Sequence, residues 1–462
     1  MYKTKKIFAI LLIVLMIGSI FSGCSNSVKN TSKTNDKENS VDNSKGNEDN
    51  NKTNEEEIVL KWAVEAGAAD RGETQDLIKL AAEHGIKIKP WIMPVAKDGE
   101  ADKLLISLMG GEEIDICYDA YPNMKRKINA GVVYPIEQLA ADAGYNMKDK
   151  FGGYLPVFDD EVYGLPAFVD IGITLYNRNL FDKAGIEYPS AENWTWENYI
   201  KTAKKLTDES NGIYGSFMPT DWAHYNYFHA IQKGISHYKE EGTSNYDAPE
   251  FAEALKFNYD FGNLHKVQPD YLTMKSKQLP YDSFTTGKYG MFVCGCWSTS
   301  LMKDKEKYPR DWKFGILPMP YPEGNDKSTI TVTGNYWIPT TSKKKEYAFK
   351  VISLFAEHQY ELGYGKIPAR VDISDEELDK YIEENLVEPF KEDGITVDDF
   401  RQAYFDPNMK VYPEKIVGYG DVAINQIFCE EGGLYGIGEK SLEDTMKQIK
   451  EKADKAIKDD MK

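Results

Sequence analysis

Polar and aromatic side chains come directly after several predicted β-strands, where a folded chain would present them to a small polar molecule. The strands are predicted at residues 58–64, 86–89 and 114–118, with helical patterns between them. Strand, helix, strand, helix, strand is typical of a parallel α/β sheet, and such sheets bind ligands beyond the carboxyl ends of their strands. The candidate hydrogen-bonding residues at these ends are Glu65, Asp70, Arg71, Asp119 and Tyr121. The alternative is that they only hydrate loops, which is the usual state of polar loop residues.

A few sulfur, imidazole and carboxylate side chains are close enough in sequence to suggest a metal site. Cys294 and Cys296 share one face of a predicted strand, but a lone C-x-C supplies too few ligands, so we expect two buried thiols. Asp221, His224 and His229 are also near one another, yet two histidines five residues apart do not share a helix face. No glycine-rich stretch has the full dinucleotide-binding pattern. We therefore expect neither a metal ion nor another cofactor.

The composition narrows the classes of protein to which the chain can belong. Among 462 residues, 74 are acidic and 56 are basic, which gives a formal net charge of −18 and argues against a nucleic-acid binder. Hydrophobic residues make up 41%, and only one apolar run approaches membrane length, so a protein with several membrane spans is excluded. With 13% aromatic residues, most of the chain is expected to fold, and its length indicates two domains or lobes.

The first residues have the pattern of a secretion signal. Lysines at positions 3, 5 and 6 precede an apolar run over residues 7–20, which is too short to span a membrane comfortably as a helix. The run ends in Phe21-Ser22-Gly23-Cys24, which resembles the bacterial lipobox, where the Cys becomes the lipidated first residue. We expect residues 1–23 to be a signal peptide, Cys24 to carry acyl chains such as palmitate, and residues 25–57 to form a disordered tether. The alternative is an ordinary signal peptide with an incidental Cys.

Three sequence blocks in the body of the chain resemble those of one known family. The first consists of residues 163–166 (YGLP), 175–185 (LYNRNLFDKAG) and 194–199 (WTWENY). The second is residues 284–291 (FTTGKYGM) with Trp297, and the third is residues 334–339 (GNYWIP) with Ser342-Lys343. In this order the blocks resemble the sugar-binding extracellular solute-binding proteins that serve ABC importers. One departure is Asn335, where the family usually has a second glycine, and the region before residue 130 matches only in general pattern.

This resemblance implies an α/β protein with a two-lobe, periplasmic-binding-protein-like fold. Each lobe would be a doubly wound sheet, and a hinge of three chain segments would join them, near residues 169–170, 331–333 and 367–370. Lobe 1 would contain residues 58–168 and 334–368, and lobe 2 residues 171–330 and 374–462. The ligand would lie between the lobes, and closure about the hinge would bury it.

Sugar chemistry suggests which further residues could line such a cleft. A pyranose packs its apolar face on an aromatic ring, while carboxylate, amide or guanidinium groups bond to its hydroxyls. Asp221 and Trp222 supply such a pair after a predicted strand, and Trp297 lies where the family has a stacking Trp. At the predicted crossings the candidates are Asp170, Asn335, Tyr336, Trp337 and Arg370. Neighbours on a strand point to opposite faces, so at most one of Tyr336 and Trp337 would stack on ligand, and core packing is the alternative for every aromatic residue.

The resemblance thus predicts a non-catalytic receptor that captures a carbohydrate, expected to be an oligosaccharide, and delivers it to the permease of an ABC importer. We expect a monomer at the outer face of the bacterial cytoplasmic membrane, attached to the membrane through its lipid anchor only. Two alternatives stay open. The same fold could bind a peptide or an anionic uronide, with Arg71 and Arg370 as the anion clamp. The chain could instead be a tethered glycoside hydrolase, since a linear sequence cannot reveal a carboxylate pair about 5 Å apart.

Overall fold

The computed structural model describes residues 57–65, 67–93, 102–239 and 242–461. Residues Glu56–Lys462 form one compact unit. The predicted signal peptide, the predicted lipidation residue Cys24 and nearly all of the predicted tether lie outside the described residues.

The described residues form short and long β-strands distributed along the whole unit. In chain order they are β1 (Ile58–Glu65), β2 (Ile86–Met93), β3 (Cys117–Ala120), β4 (Val157–Phe158), β5 (Glu161–Val162), β6 (Leu165–Asn177), β7 (Met291–Gly295), β8 (Phe314–Pro318), β9 (Ser328–Trp337), β10 (Ile367–Pro368) and β11 (Lys410–Pro413).

The α-helices alternate with these strands and then dominate the C-terminal part. They are α1 (Gly72–Glu83), α2 (Lys103–Met109), α3 (Tyr121–Asn129), α4 (Glu137–Asp142), α5 (Met147–Phe151), α6 (Arg178–Ala184), α7 (Trp196–Leu206), α8 (Phe228–Gln232), α9 (Pro249–Asn263), α10 (Tyr271–Lys277), α11 (Thr299–Lys303), α12 (Lys345–His358), α13 (Asp375–Tyr381), α14 (Val397–Tyr404), α15 (Asp421–Gly436) and α16 (Leu442–Asp460). Within the part of the chain that the structure describes, no helix combines the length and apolar character needed to cross a membrane.

The N-terminal part is built as the alternating strand and helix pattern predicts. β1 pairs with β2 in parallel over its full length, and Trp62 forms a parallel bridge to Ile116 just before β3. Leu60, Leu77 and Ile88 come from β1, α1 and β2 and are buried in one core. Burial of this apolar surface is what holds the helix against the sheet.

A second, larger sheet is organised around β6, which changes partners along its length. Its first half pairs antiparallel with β9 and β10, and its second half pairs antiparallel with β7 and β8. β3 and β11 extend this sheet through β9. The sheet is therefore mixed, because β11 runs parallel to β9 while every other strand pair in it is antiparallel.

The three segments predicted to form a hinge are neighbours in this sheet. Val169 in β6 pairs with Thr333 in β9 on one side and with Ile367 in β10 on the other. Adjacent strands can bend together with changes at only a few residues. The residue boundaries of the two lobes stay a prediction.

Two further clusters of buried side chains are formed by the second half of β6 and the residues that follow it. One contains Trp196 and Phe261 with the second half of β6 around it, and another joins Phe251 on α9 to Phe428 on α15 and Ile449 on α16. These clusters bury the C-terminal helices against the region that follows β6. Of the four tryptophans for which the sequence favours core packing, Trp62, Trp194 and Trp312 are buried, whereas Trp91 is half-buried against the core.

Candidate ligand-binding site

Three aromatic side chains lie together at the surface beside the end of β7, and we call them the aromatic cluster: Trp222, Tyr281 and Trp297. The ring centroids of Trp222 and Trp297 are 6.2 Å apart, and their planes differ by 35°. Tyr281 is 5.5 Å from Trp297 at an angle of 73°, so it stands steeply against the surface that the two indoles form. Tyr281 is 43% exposed, and both indoles are half-buried. The cluster therefore presents ring surface to solvent, unlike the aromatic residues of the core.

The position of Trp297 depends on the glycine that precedes it by two residues. Trp297 lies in a 3-10 turn, Cys296–Ser298, directly after β7. A Cβ atom on Gly295 would come within 2.7 Å of the Trp297 ring and 2.8 Å of the Asp170 carboxylate. Only a residue without a side chain lets the indole lie this close to the strand and to Asp170.

Asp170, in the middle of β6, is the carboxylate nearest to this cluster in the hydrogen-bond network. Its Oδ1 accepts hydrogen bonds from the Cys296 Sγ, 3.1 Å away, and from the backbone N–H of Trp297, 3.4 Å away. Its Oδ2 accepts none from any described residue. Burial raises the pKa of Asp170 to about 6, and the charge of Glu414 adds to this effect. Near neutral pH the group is thus mostly ionised and has one oxygen available for a ligand donor.

Glu414, just after β11, supplies a second buried carboxylate near Asp170. Its backbone N–H donates to the carbonyl of Thr331 in β9 (2.8 Å), which fixes the strand end at the sheet. The carboxylate lies 3.6 Å from His224 Nδ1 and forms an ion pair with Lys415. Burial lowers the pKa of His224 to about 4, so this imidazole is neutral at pH 7. Burial acts to raise the pKa of Glu414, but the neighbouring His224 and Lys415 hold it below its usual value.

The other side of the site is formed by Tyr118 at the end of β3 and Phe168 on β6. Their rings stack with centroids 6.1 Å apart and an angle of 22°, and both are half-buried. Phe168 shares a strand face with Asp170, two residues away. The Lys366 ammonium lies 4.1 Å from the Phe168 ring centroid. Gly334 leaves room for Tyr118, since a Cβ there would be 2.1 Å from its hydroxyl oxygen.

Several carboxylates lie near Tyr118 as well. Burial, with the charges of Asp119, Glu73, Asp170 and Glu65, raises the pKa of the Tyr118 hydroxyl. This hydroxyl is therefore a neutral donor at physiological pH. The site combines exposed ring faces with hydrogen-bonding groups, which is the arrangement needed for a ligand that is apolar on its faces and polar at its rim.

Among the residues predicted from the sequence, the structure brings Asp170, Trp222 and Trp297 together. Asp221 adjoins the cluster and is exposed, with its carboxylate 3.4 Å from the Lys275 ammonium. Three others lie exposed at the end of β1 and in the turn that follows it: Glu65, Asp70 and Arg71. Arg71 donates from Nε to the carbonyl of Gly67, 3.0 Å away.

Three predicted residues on β9 are placed in the interior instead. Trp337 has no exposed surface, and its Nε1 donates to the Asp119 carboxylate (3.0 Å). Tyr336 is 2% exposed, and its hydroxyl donates to Gln359 (3.0 Å). Asn335 is fully buried and donates to Thr333. We therefore correct the prediction for these residues and assign them to the core, since both faces of β9 are covered here.

Asp119 is also occupied by structural partners. Its carboxylate lies 3.1 Å from the ammonium of the buried Lys127, which in turn is 2.8 Å from Asp102. Together with the Trp337 indole, this ion pair ties β3 to α3 and β9. Burial raises the pKa of Asp119, with Lys127 opposing the effect. We assign Asp119 to this structural network.

The two remaining candidates have partners outside the aromatic cluster. Tyr121 stacks on Phe158 at 4.8 Å and donates its hydroxyl to the Val157 carbonyl (3.0 Å). Arg370 donates from Nε to Asp372 (2.7 Å) and lines a cavity of about 540 Å³ with Val169. Val169 points to the face of β6 opposite to Asp170, so Arg370 does not face the aromatic cluster.

Sequence reasoning missed several residues that form this site. Tyr281, Glu414 and Lys366 belong to loops or strand ends, where no periodicity marks a buried or ligand-facing position. Phe168 had a usable signal, because it precedes Asp170 by two residues on a predicted strand and must share its face. Tyr118 lies within β3, and the sequence pattern assigns it only to the strand predicted at residues 114–118.

Neither the sulfur nor the imidazole groups form a cofactor site among the described residues. No group of three or more His, Cys, Asp or Glu side chains there could hold a metal ion. Cys294 and Cys296 are buried free thiols, and burial raises the pKa of both. Cys117 is buried, whereas Cys429 is half-buried at the surface of α15.

The family of the chain follows from comparison with known proteins. Residues 64–361 match the model of the family described as bacterial extracellular solute-binding protein. The chain belongs to this family. The match spans β1 to the end of α12, so it includes Asp170 and the whole aromatic cluster.

Curated relatives of this solute-binding protein are binding proteins too. A binding protein of Brucella abortus is 24% identical over 349 residues, covering 69% of this chain and 80% of the relative. The arabinooligosaccharide-binding protein of Halalkalibacterium halodurans is 26% identical over 175 residues, 36% of this chain and 37% of that one.

Solved structures confirm the predicted fold. The ABC substrate-binding protein Lmo0181 of Listeria monocytogenes, solved in complex with cycloalternan, superposes with a TM-score of 0.67 at 23% identity. The superposition covers 86% of this chain and 98% of that one. The solute-binding protein thus has the mixed α/β, two-lobe fold of periplasmic binding proteins.

Proposed function

We propose that this protein is a lipid-anchored extracellular receptor that captures an oligosaccharide between two closing lobes and delivers it to an ABC import permease. The observation that carries the proposal is the aromatic cluster beside Asp170. Two indole faces at 35° can pack on the apolar faces of successive sugar rings, and Asp170 Oδ2 can accept from their hydroxyls. The names of the relatives support the ligand class: one binds arabinooligosaccharides, and another was solved with cycloalternan.

The adjacent strands of the predicted hinge support the proposal of a closing movement. β6, β9 and β10 lie side by side, and Asp170 lies within the stretch where they meet. A small rotation about these strands would bring Tyr118 and Phe168 toward the aromatic cluster. A ligand in between would then be covered on both sides, which exchanges water contacts for ring contacts.

Anchoring and delivery rest on the sequence. The lipobox-like residues 21–24 favour acyl chains on Cys24, and the polar stretch 25–57 would let the folded unit reach a permease in the same membrane. Incorporation of radiolabelled palmitate into the wild-type protein, and loss of this label in the Cys24→Ser variant, would support the anchor. An unlabelled wild-type protein would contradict it.

Calorimetry with a panel of mono- and oligosaccharides tests the ligand-binding proposal. We expect saturable binding of at least one oligosaccharide, a change in Trp fluorescence from the half-buried indoles, and recovery of the ligand unchanged. Release of new reducing ends, abolished by substitution of a single carboxylate, would contradict the receptor and favour a glycoside hydrolase. Binding of peptides but of no saccharide would also contradict the proposal.

A further inference from the structure

Unpaired negative charge predominates around the aromatic cluster and Asp170, and it affects which net charge a ligand can carry. Asp170 lies on β6 and Glu414 directly follows β11, and Glu65 and Glu73 lie near Tyr118 on the other side. Four carboxylates thus lie near the groups that border the space between the aromatic cluster and Tyr118. An anion placed there would be repelled from both sides.

The cations near this space are already paired with carboxylates. Lys415 pairs with Glu414, and Lys366 lies 3.8 Å from Glu73. Lys275 lies 3.4 Å from Asp221 at the edge of the cluster. A ligand carboxylate would have to break one of these pairs to find a cation, and the separated protein carboxylate would then stay without its partner.

The arginines that might have formed an anion clamp are also unsuited to it. Arg370 is engaged by Asp372 and lies behind the opposite face of β6. Arg71 is exposed, donates to the carbonyl of Gly67, and shares its turn with Glu65 and Asp70. Neither guanidinium offers a bidentate site toward the aromatic cluster.

Glu65 and Asp170 form no ion pair with any described cation, unlike Glu73 and Glu414, and of these two only Asp170 is partly buried. Its Oδ1 is held by Cys296 and by the Trp297 backbone, which fixes the carboxylate beside the indole. The free Oδ2 can accept from a sugar hydroxyl, which is a neutral donor. A ligand carboxylate at the same place offers no proton and adds a like charge in a partly desolvated site.

We propose that this site selects uncharged oligosaccharides and rejects sugars that carry a carboxylate, with Asp170 as the selecting residue. This inference rests on the proposed function and adds the charge class of the ligand to it. The anionic-uronide alternative left open by the sequence is therefore set aside in favour of neutral sugars.

The test compares matched neutral and acidic saccharides. Calorimetry at pH 7.5 would use xylo-, malto- and galacto-oligosaccharides of two to four rings, each beside a counterpart in which one ring is a glucuronate or galacturonate. We expect the neutral member of every pair that binds to have a Kd at least about tenfold lower than its acidic counterpart. Raising the salt concentration should narrow this difference, because the repulsion is partly screened.

Asp170→Asn keeps the shape of the side chain and removes its charge. We expect the ratio between acidic and neutral Kd values to fall several-fold in this variant. Asp375→Asn is the matched control, since Asp375 is exposed and pairs with Arg401 away from the cluster; its ratio should equal that of the wild type. The melting temperature of each unliganded variant shows whether it folds. If Asp170→Asn does not fold, Glu65→Gln, at an exposed position on the other side, provides the same comparison.

The outcomes separate the inference from the proposed function. Acidic saccharides that bind as tightly as their neutral counterparts, or more tightly, overturn the inference and leave a sugar receptor standing. An unchanged ratio in a folded Asp170→Asn variant overturns the role of Asp170. If no saccharide of either kind binds while another solute class does, the proposed function falls, and this inference falls with it.

Discussion

At the level of single residues, the positions of the Trp297 indole and the Asp170 carboxylate depend on each other. The backbone N–H of Trp297 donates to the carboxylate, and Gly295 lets the indole approach it closely. The ring face and the hydrogen-bond acceptor are therefore fixed in one geometry before a ligand arrives. Preorganised groups bind more tightly because less side-chain entropy is lost on binding.

Trp297→Ala tests the ring at this position. Loss of a stacking indole from a binding site typically costs about 2 kcal/mol or more, which corresponds to roughly a 30-fold rise in Kd for the best oligosaccharide. Calorimetry measures the change. Tyr347→Ala is the control, because Tyr347 is an exposed aromatic residue on α12 and its loss should leave Kd unchanged. Equal affinities of wild type and Trp297→Ala would contradict the site.

The limits of sequence reasoning are visible in individual residues. Asp170, Trp222 and Trp297 could be proposed because ring and carboxylate types stand at predicted strand ends or in a family block. Tyr336 and Trp337 had the same appearance, yet both faces of β9 are buried, a fact set by the packing of α12 and of β3. Tyr281 had no signal at all, since its place depends on how the loop before it folds back on Trp222.

At the level of elements, an internal ion pair connects the C-terminal segment to β8. Arg310 Nη1 and Nη2 lie 2.6 and 2.7 Å from the two oxygens of Asp393, and both side chains are nearly inaccessible. The backbone N–H of Phe314, the first residue of β8, also donates to Asp393 (3.3 Å). The pair fixes the 3-10 segment Glu388–Asp393 against the sheet.

Asp393→Ala should therefore destabilise the protein strongly. Removal of one partner leaves the Arg310 charge buried without compensation, which costs about 3–5 kcal/mol. Denaturant-induced unfolding measures the loss. Asp379→Ala removes a carboxylate that is 52% exposed and paired with Arg401, so its cost should stay within about 1 kcal/mol. Similar losses in both variants would show that burial of the Arg310 pair is unimportant.

The alternation of elements was largely predictable, whereas the pairing of the central sheet was not. Hydrophobic runs at residues 58–64 and 86–89 gave β1 and β2, because a strand buried on one face needs such a pattern. Nothing local in β6 reveals that it has four different partners. Those partners lie far away in sequence, and only the resemblance to a family suggested that three segments meet.

At the level of the whole molecule, buried histidines link stability to pH. Burial lowers the pKa of His229 and His237 to about 3 and that of His224 to about 4. In the unfolded chain the pKa of His is about 6.5. Between these values the unfolded state binds more protons, so stability falls as the pH falls. Asp170 has the opposite effect on stability: its pKa is higher in the folded state, so its contribution to stability rises as the pH falls from about 6 to about 4.

Removal of one such histidine should flatten this dependence. His229 stacks on Phe257 at 4.4 Å, and its Nδ1 has no described partner, so His229→Phe keeps the ring contact and removes the proton site. The free energy of unfolding, measured in urea at pH 7, 6 and 5, should then decline less than in the wild type, by about 0.7 kcal/mol between pH 7 and 6 and by about 1.2 kcal/mol between pH 6 and 5. His237→Phe should behave alike. Unchanged slopes in both variants would contradict neutral burial of these rings.

The continuity of β6 has a consequence for the order in which the protein can be made and folded. This strand leaves the ribosome long before β7, β8, β9 and β10, which supply its neighbours. The apolar residues of β6 therefore stay exposed until much of the C-terminal part has been synthesised. Contacts between segments so distant in sequence also form slowly. A chain that cannot complete its central sheet early remains open to translocation, which suits a protein expected to act outside the cell.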